Sequence, residues 1–216
     1  MIFAIILLPL RFQIVNGSTP IQAGYRLLAL TIVSSLGGFI AGILTQRLKL
    51  PHLWILLGSA PLQIIGLALL GTLNSKPSIQ PSTYAYEVIL ALGFGGSLGS
   101  ALMMVPLVVK KQDMAVGMSS IGQFRSLGGA ISIAITTTVL NNHITTSLSP
   151  VLSASQLVAL RRSVSVIKTF PLPLQEATRS VYAEGYNLQM NIMTAFAAGA
   201  FLASLLVWER VPRRMA

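Results

Sequence analysis

Charge is what this sequence has least of. Asp, Glu, Lys and Arg together make up 9% of it, against about 25% in a soluble domain. So few charges cannot cover a globular surface, which excludes the soluble class. Acids are the scarcer sign, with five against fifteen basic residues. Glu87, Asp113 and Glu209 all fall near the borders of apolar segments, so no acid lies deep within one. Cysteine is absent, which excludes disulfides, a thiolate nucleophile and a cysteine-ligated metal. The two histidines, His52 and His143, stand at helix ends on opposite sides, and no H-E-x-x-H run occurs. A membrane hydrolase needs a metal site or a nucleophile–base pair, so neither a metal nor a cofactor nor an enzymatic activity is expected. The glycine-rich run 93–99, GFGGSLG, lies within an apolar span and cannot be a soluble nucleotide loop.

What the chain has instead is apolar length. Hydrophobic residues make up 53% and mean hydropathy is +0.74, the values of an all-α integral membrane protein. Spans are expected at 24–45, 53–73, 86–109, 115–140 and 188–208. Each offers about 20 residues or more, enough for a hydrocarbon core of about 30 Å. A further apolar run at 2–15 is shorter than a span and reads as a partial helix, a first sign of a fragment. It is not a signal peptide, because it has neither a basic start nor a small-x-small cleavage site. Continuous apolar runs also exclude a membrane barrel, whose strands alternate. The net charge of +10 then points to anionic lipid at the cytoplasmic face, with no nucleic acid.

The basic residues give an orientation. Arg47, Lys49, Lys110, Lys111, Arg210, Arg213 and Arg214 crowd into short connections and the tail, whereas seven others spread over longer loops. Density in short loops marks the cytoplasmic side, so the C-terminus is expected inside. Segment 141–187 is then an extracytoplasmic loop. Within it Leu157, Leu160, Val164 and Ile167 recur at helical spacing, and Pro171 and Pro173 end the pattern. A second short helical stretch follows through Leu174, Ala177 and Val181. These read as short amphipathic helices at the outer interface.

Small residues and one arginine supply the motifs. Gly38–Gly42 and Gly95–Gly99 are small-xxx-small pairs, and Gly128–Gly129 is another small surface. Such faces let helix backbones approach closely in lipid. The run Ser35-Leu-Gly-Gly38 recurs as Ser126-Leu-Gly-Gly129, as it would in the middle helices of an inverted repeat. Arg125 lies beside these residues, about 22 Å inward of Leu140 at helical rise. One reading makes it an anchor snorkelling to the cytoplasmic border. The other makes it a cation facing a polar cavity, supported by Gln123, Ser126, Gly128 and Gly129 around it.

At these residues the chain resembles a family. Phe124, Arg125, Leu127, Gly128, Gly129 and Ala130 match a run in the penultimate helix of fourteen-helix drug:proton antiporters of the major facilitator superfamily, especially fungal efflux pumps. Leu8, Pro9, Phe12, Gln13, Pro20, Gly24 and Arg26 are similar to the family's first C-domain helix and outer turn, with Thr19 where serine is usual. The approach to 188–208 is similar to its last helix. The inner loop 46–52 departs from the family, having no acid. The resemblance implies a six-helix bundle equivalent to the C-terminal half of a transporter, with its first helix cut short. The parent activity it implies is proton-coupled efflux of small organic molecules, drugs or toxins, by alternating access, in the plasma membrane. Arg125, Gln123 and Gln13 are the candidate pathway residues. Partners are then the bilayer, a small organic substrate and proton, and the missing N-terminal half or a full-length relative. The chain alone is expected to be inactive. The alternative is a non-transporting protein that binds or regulates a full-length transporter.

Overall fold

The computed structural model describes residues 2–76 and 78–206. The end of the expected span 188–208 and the tail arginines Arg210, Arg213 and Arg214 lie outside the described residues. The α-helices are α1 (Ile2–Ile14), α2 (Pro20–Arg26), α3 (Leu28–Arg47), α4 (His52–Leu70), α5 (Ser82–Val108), α6 (Met114–Leu148), α7 (Ala154–Arg162) and α8 (Leu172–Leu205). Short 3-10 turns occupy Lys111–Asp113 and Val164–Thr169, and there is no strand among the described residues.

Local chemistry sets the helix ends. Gly17 has φ +65°, a left-handed conformation that costs glycine little. It turns the chain so that the Ser18 N–H donates to the Phe12 carbonyl at 2.9 Å, closing the end of α1. Thr19 then caps α2 by accepting from the Gln22 N–H, while the Gln22 side chain accepts from the Thr19 N–H. Pro20 follows at the first helical position, where its missing N–H costs nothing. Ser153 and Gln156 make the same reciprocal box ahead of α7.

Two helices outrun the apolar segments that announce them. α6 continues from 140 to Leu148, and α8 begins at Leu172, sixteen residues before Leu188. The second short stretch around Leu174 and Val181 is therefore the first part of α8. Hydropathy marks where a helix meets lipid, and a helix can run on past it through polar residues. Asn141, Asn142 and Thr145 do so in α6, and α8 runs on through Gly185 with no proline between Leu174 and Gln189. The connection left between them is 149–171.

By length and composition, the helical stretches Pro20–Arg47, His52–Leu70, Ser82–Val108 and Leu172–Leu205 suffice to cross a membrane, whereas Phe3–Ile14 is shorter. α6 is longer than any single one of these helices, but serine, threonine, glutamine and arginine dilute its apolar content. A helix that packs among others need not be apolar all round.

α5 lies between α3 and α4, and α8 joins α4 and α6. Glycines set the first of these packings. A Cβ on Gly37 would stand 2.8 Å from the Leu92 carbonyl oxygen, and one on Gly95 would collide with the Ser34 carbonyl. On the other side of α5, a Cβ on Gly66 would meet the Leu90 backbone at 2.7 Å, and one on Gly93 the Ser59 carbonyl at 2.7 Å. Lipid gives helices no hydrophobic reason to associate, so close backbone contact carries the attraction. Polar side chains add ties at α8. Gln189 Nε2 donates to the Thr136 carbonyl at 2.7 Å, and Asn187 Nδ2 to the Leu73 carbonyl at 3.0 Å.

A second core closes one end of the bundle. Ile14 of α1 and Val15 just after it meet Ile144 and Leu148 of α6, Tyr182 and Ala183 of α8, and Leu152, Leu160, Ile167 and Phe170 of the connection. Leu160 and Ile167 are buried at 1% and 3% exposure. The helical spacing of 157–167 thus covers the ends of α1, α6 and α8. Burying each such side chain contributes about 1.5–3 kcal/mol.

Candidate functional site: an arginine-bearing groove

A cavity of about 640 Å³ opens between α1, α4, α5, α6 and α8. Its walls are mostly apolar, from Phe3, Phe94, Ile135, Met193 and Phe196. Three polar side chains reach it: Arg125, Gln63 and Ser132. Gln63 is already committed, since its Nε2 donates to the Gly93 carbonyl at 3.2 Å and to Ser97 Oγ at 2.6 Å. Ser132 Oγ donates back to the Gly129 carbonyl at 2.8 Å. Arg125 makes no hydrogen bond or ion pair among the described residues. It is the only charged residue lining the cavity among the described residues.

The first half of α6 is lightly covered, approached at Gly117 by Val105 of α5, 2.9 Å from the place a Cβ would take. No residue from 115 to 128 is buried, and Phe124 is 74% exposed. Gln123, Leu127 and Ala130 are exposed as well. Cover begins at Gly129, which is buried, and at Thr136. Gly128 differs from its neighbour. Nothing lies within 4 Å of the place a Cβ would take, so no described helix packs on it. Gln13 sits apart from Arg125. It is half-buried near the far end of α1, ten residues or about 15 Å from Phe3, and it does not line the cavity.

The remaining glycines meet on α3 and α5. A Cβ on Gly99 would lie 3.2 Å from Gly38 Cα, and one on Gly38 3.5 Å from the Gly95 carbonyl. A Cβ on Gly42 would lie 3.1 Å from the end of Met103. These three positions therefore belong to packing on α5, away from the cavity.

A second polar cluster escaped the sequence reading. Glu87 is fully buried, at 0% exposure, and neither carboxyl oxygen has a hydrogen-bond partner among the described residues. Arg11, 5% exposed, donates from its Nη2 to the Asn74 carbonyl at 3.0 Å and stacks 4.9 Å from the Tyr186 ring centre. Tyr186 lies within electrostatic reach of both Arg11 and Glu87. In the sequence Glu87 stands near a span border and Arg11 only counts among the scattered basic residues, so neither is marked as buried. Periodicity holds the better signal. Leu8, Arg11, Phe12 and Val15 share one buried face of α1, and Thr83, Glu87, Leu90 and Ala91 share one of α5. Ionisable groups on such faces pair within a bundle.

Long glycine-packed helices, a polar face on α6 and buried ionisable side chains together define a multi-pass membrane bundle. Comparison with known proteins gives the family. The chain is 41% identical to the MFS-type transporter FPY5 of Fusarium mangiferae over 211 residues, which are 98% of this chain and 35% of that protein. It is 26% identical to the MFS-type transporter ppz2 of Metarhizium majus, over 95% of this chain and 37% of that protein. It is 28% identical to the efflux pump DEP3 of Alternaria brassicicola, over 62% of this chain and 23% of that protein. The chain belongs to the major facilitator superfamily and spans about a third of the length of these curated relatives. No family model and no solved structure matches it.

Proposed function

We propose that the chain is the C-terminal bundle of a proton-coupled exporter of small organic molecules. It works by alternating access against a second bundle and does not transport alone. In this reading it lies in the plasma membrane with its C-terminus in the cytoplasm, and Arg125 faces the protein interior. The observation that carries the reading is the first half of α6. Residues 115–128 hold Ser119, Ser120, Gln123, Arg125 and Ser126 with no buried position among them. Lipid does not solvate such a face, and an arginine set among acyl chains costs about 2.5–3.5 kcal/mol on insertion scales. That face therefore requires protein or a water-filled passage opposite it. The efflux pumps among the relatives make a passage for organic solutes the natural choice.

The test is transport normalised to protein in the membrane. Purified chain in proteoliposomes should not export a fluorescent dye under an imposed pH gradient, whereas a complete transporter carrying this half should. In that complete transporter Arg125→Lys should lower efflux clearly while insertion stays normal, because lysine cannot reproduce the planar five-donor fork. Export by the pure chain, or full activity of the lysine variant, would refute the reading.

A further inference from the structure

We propose that the cleft between α3 and α4 seats an anionic phospholipid, with one acyl chain lying in the cleft and the headgroup phosphate at Arg47 and Lys49. This site goes beyond the proposed efflux and uses another part of the bundle. No residue that lines the cleft lines the cavity at Arg125.

Shape is the first argument. α3 and α4 scarcely touch and each lies along α5, which leaves a valley in front of α5. Its volume is about 390 Å³. Gly37, Ile40 and Leu44 form the α3 wall, and Trp54, Gly58 and Leu62 the α4 wall. Leu92 and Gly96 of α5 make the floor. Gly58 leaves room, since nothing lies within 4 Å of the place its Cβ would take. Ser59 Oγ turns back to the Ile55 carbonyl at 2.7 Å, so its hydroxyl is satisfied within α4. From Trp54 to Leu62 the cleft runs about 12 Å at helical rise. One leaflet of a core of about 30 Å is about 15 Å deep, a similar length. Over that length the volume gives a cross-section of about 30 Å². A helix about 10 Å across needs about 80 Å². A further helix is too wide for the cleft, whereas a single file of methylenes fits.

Charge at the mouth gives the headgroup. Gly37, Ile40, Ala41 and Leu44 recur at helical spacing on one face of α3, and Arg47 is the next position on that face. Lys49 then takes φ +49°. This turn lets the Leu50 N–H donate to the Leu44 carbonyl at 3.3 Å, and Leu50 joins the lining. Lys49 therefore stands beside the mouth. Glycine takes such a conformation at less cost than lysine, yet the chain keeps a cation there. Arg47 and Lys49 are exposed, and neither makes an ion pair or a side-chain hydrogen bond among the described residues. No acid occurs from 28 to 86. Trp54, half exposed on the opposite wall at this end, is a residue type that sits at headgroup level. Two cations above an apolar slot complement an anionic headgroup above its acyl chain.

Trp54 itself supplies the test. Trp208→Phe leaves it as the single tryptophan. The purified chain with that change is reconstituted in phosphatidylcholine vesicles. A small fraction of the lipid is phosphatidylserine, or in parallel phosphatidylcholine, brominated on its acyl chains to quench tryptophan on contact. Each basic residue near an anionic headgroup is worth about five-fold in occupancy. The brominated serine lipid should therefore quench Trp54 as though enriched about 25-fold over the choline lipid. Arg47→Gln and Lys49→Gly should each lower that preference about five-fold. Lys49→Gly should do so with a thermal midpoint at or above parent, because glycine eases the turn, so its loss of preference is not a loss of fold. Gly58→Leu fills the cleft and leaves both cations, and it should bring quenching by the serine lipid down to that by the choline lipid. A preference that survives Gly58→Leu would overturn the proposal and reduce it to attraction to a basic surface. Equal quenching by the two lipids in the parent would overturn it as well. So would quenching that falls as more protein is packed into each vesicle, which would seat a second copy in the cleft. None of these readouts uses transport, so they stand or fall separately from the proposed efflux.

Discussion

Gly95→Ala adds a single methyl group, and the structure says where it goes. The new Cβ would collide with the Ser34 carbonyl and stand 2.9 Å from the Gly38 N. Both are backbone atoms of α3, so no side chain can swing aside and the helices must part. Alanine gains about 1 kcal/mol of helix propensity over glycine. Overpacking a tight contact costs about 1–3 kcal/mol, occasionally more. Here overpacking wins, with a net loss of up to about 2 kcal/mol, because displacing α3 also loosens the neighbouring contact between Gly38 and Gly99. Gly38→Ala is the control. Its Cβ would stand 3.5 Å from the nearest atom, an ordinary contact, so only propensity acts. Gly128→Ala, with open space around it, should gain up to about 1 kcal/mol. The assay is thermal unfolding of the purified chain in one detergent, where each kcal/mol shifts the midpoint by about 2–4 °C in a chain of this size. The expected order of midpoints is Gly128→Ala highest, Gly38→Ala near or above parent, and Gly95→Ala lowest. A Gly95→Ala variant as stable as parent would refute the idea that this backbone contact holds α3 on α5.

Two further outcomes follow from the buried charges and the capped end. Arg11→Leu and Glu87→Leu should each destabilise the chain, and the double variant should lose less than the sum, with a coupling of about 0.5–3 kcal/mol; strict additivity in the same unfolding assay would mean that the two charges are satisfied independently of each other. Ser155→Cys, exposed on α7, should react with an impermeant maleimide added outside intact cells, and labelling only after permeabilisation would reverse the orientation assigned from the basic loops.

How much of this was legible in the sequence depends on the kind of signal. Helix class follows from continuous apolar runs, because a bilayer leaves the backbone no other way to satisfy its hydrogen bonds without alternation. Helix ends were read poorly at α6 and α8, since a border in hydropathy is a property of lipid and not of helix propensity. Arg11 and Glu87 were missed for a related reason. Distance along the chain from a span border was used for Glu87, where facial position decides. Their neighbours Leu8, Phe12, Leu90 and Ala91 carried that information at helical spacing. At the groove, the sequence marked Arg125 among small residues, but not what surrounds them. A cavity is a relation among five helices, and no local pattern encodes which valley stays open.

The order in which helices meet has a consequence for how the chain is made. α3 and α4 scarcely touch each other; each lies along α5, which comes later in the chain. α1, in turn, is held by α6 and α8. The triple of α3, α4 and α5 is contiguous in the chain but closes only with its last member, whereas the triple of α1, α6 and α8 is not contiguous. As the protein leaves the ribosome, the faces at Gly37 and Gly66 stand open until α5 enters the bilayer. The first helix waits for the last one before its buried Arg11 finds Tyr186. The α3 and α4 side of this bundle thus closes once α5 enters and the α1 side only once α8 does, and a chain stopped before α5 presents two glycine faces with nothing to close them.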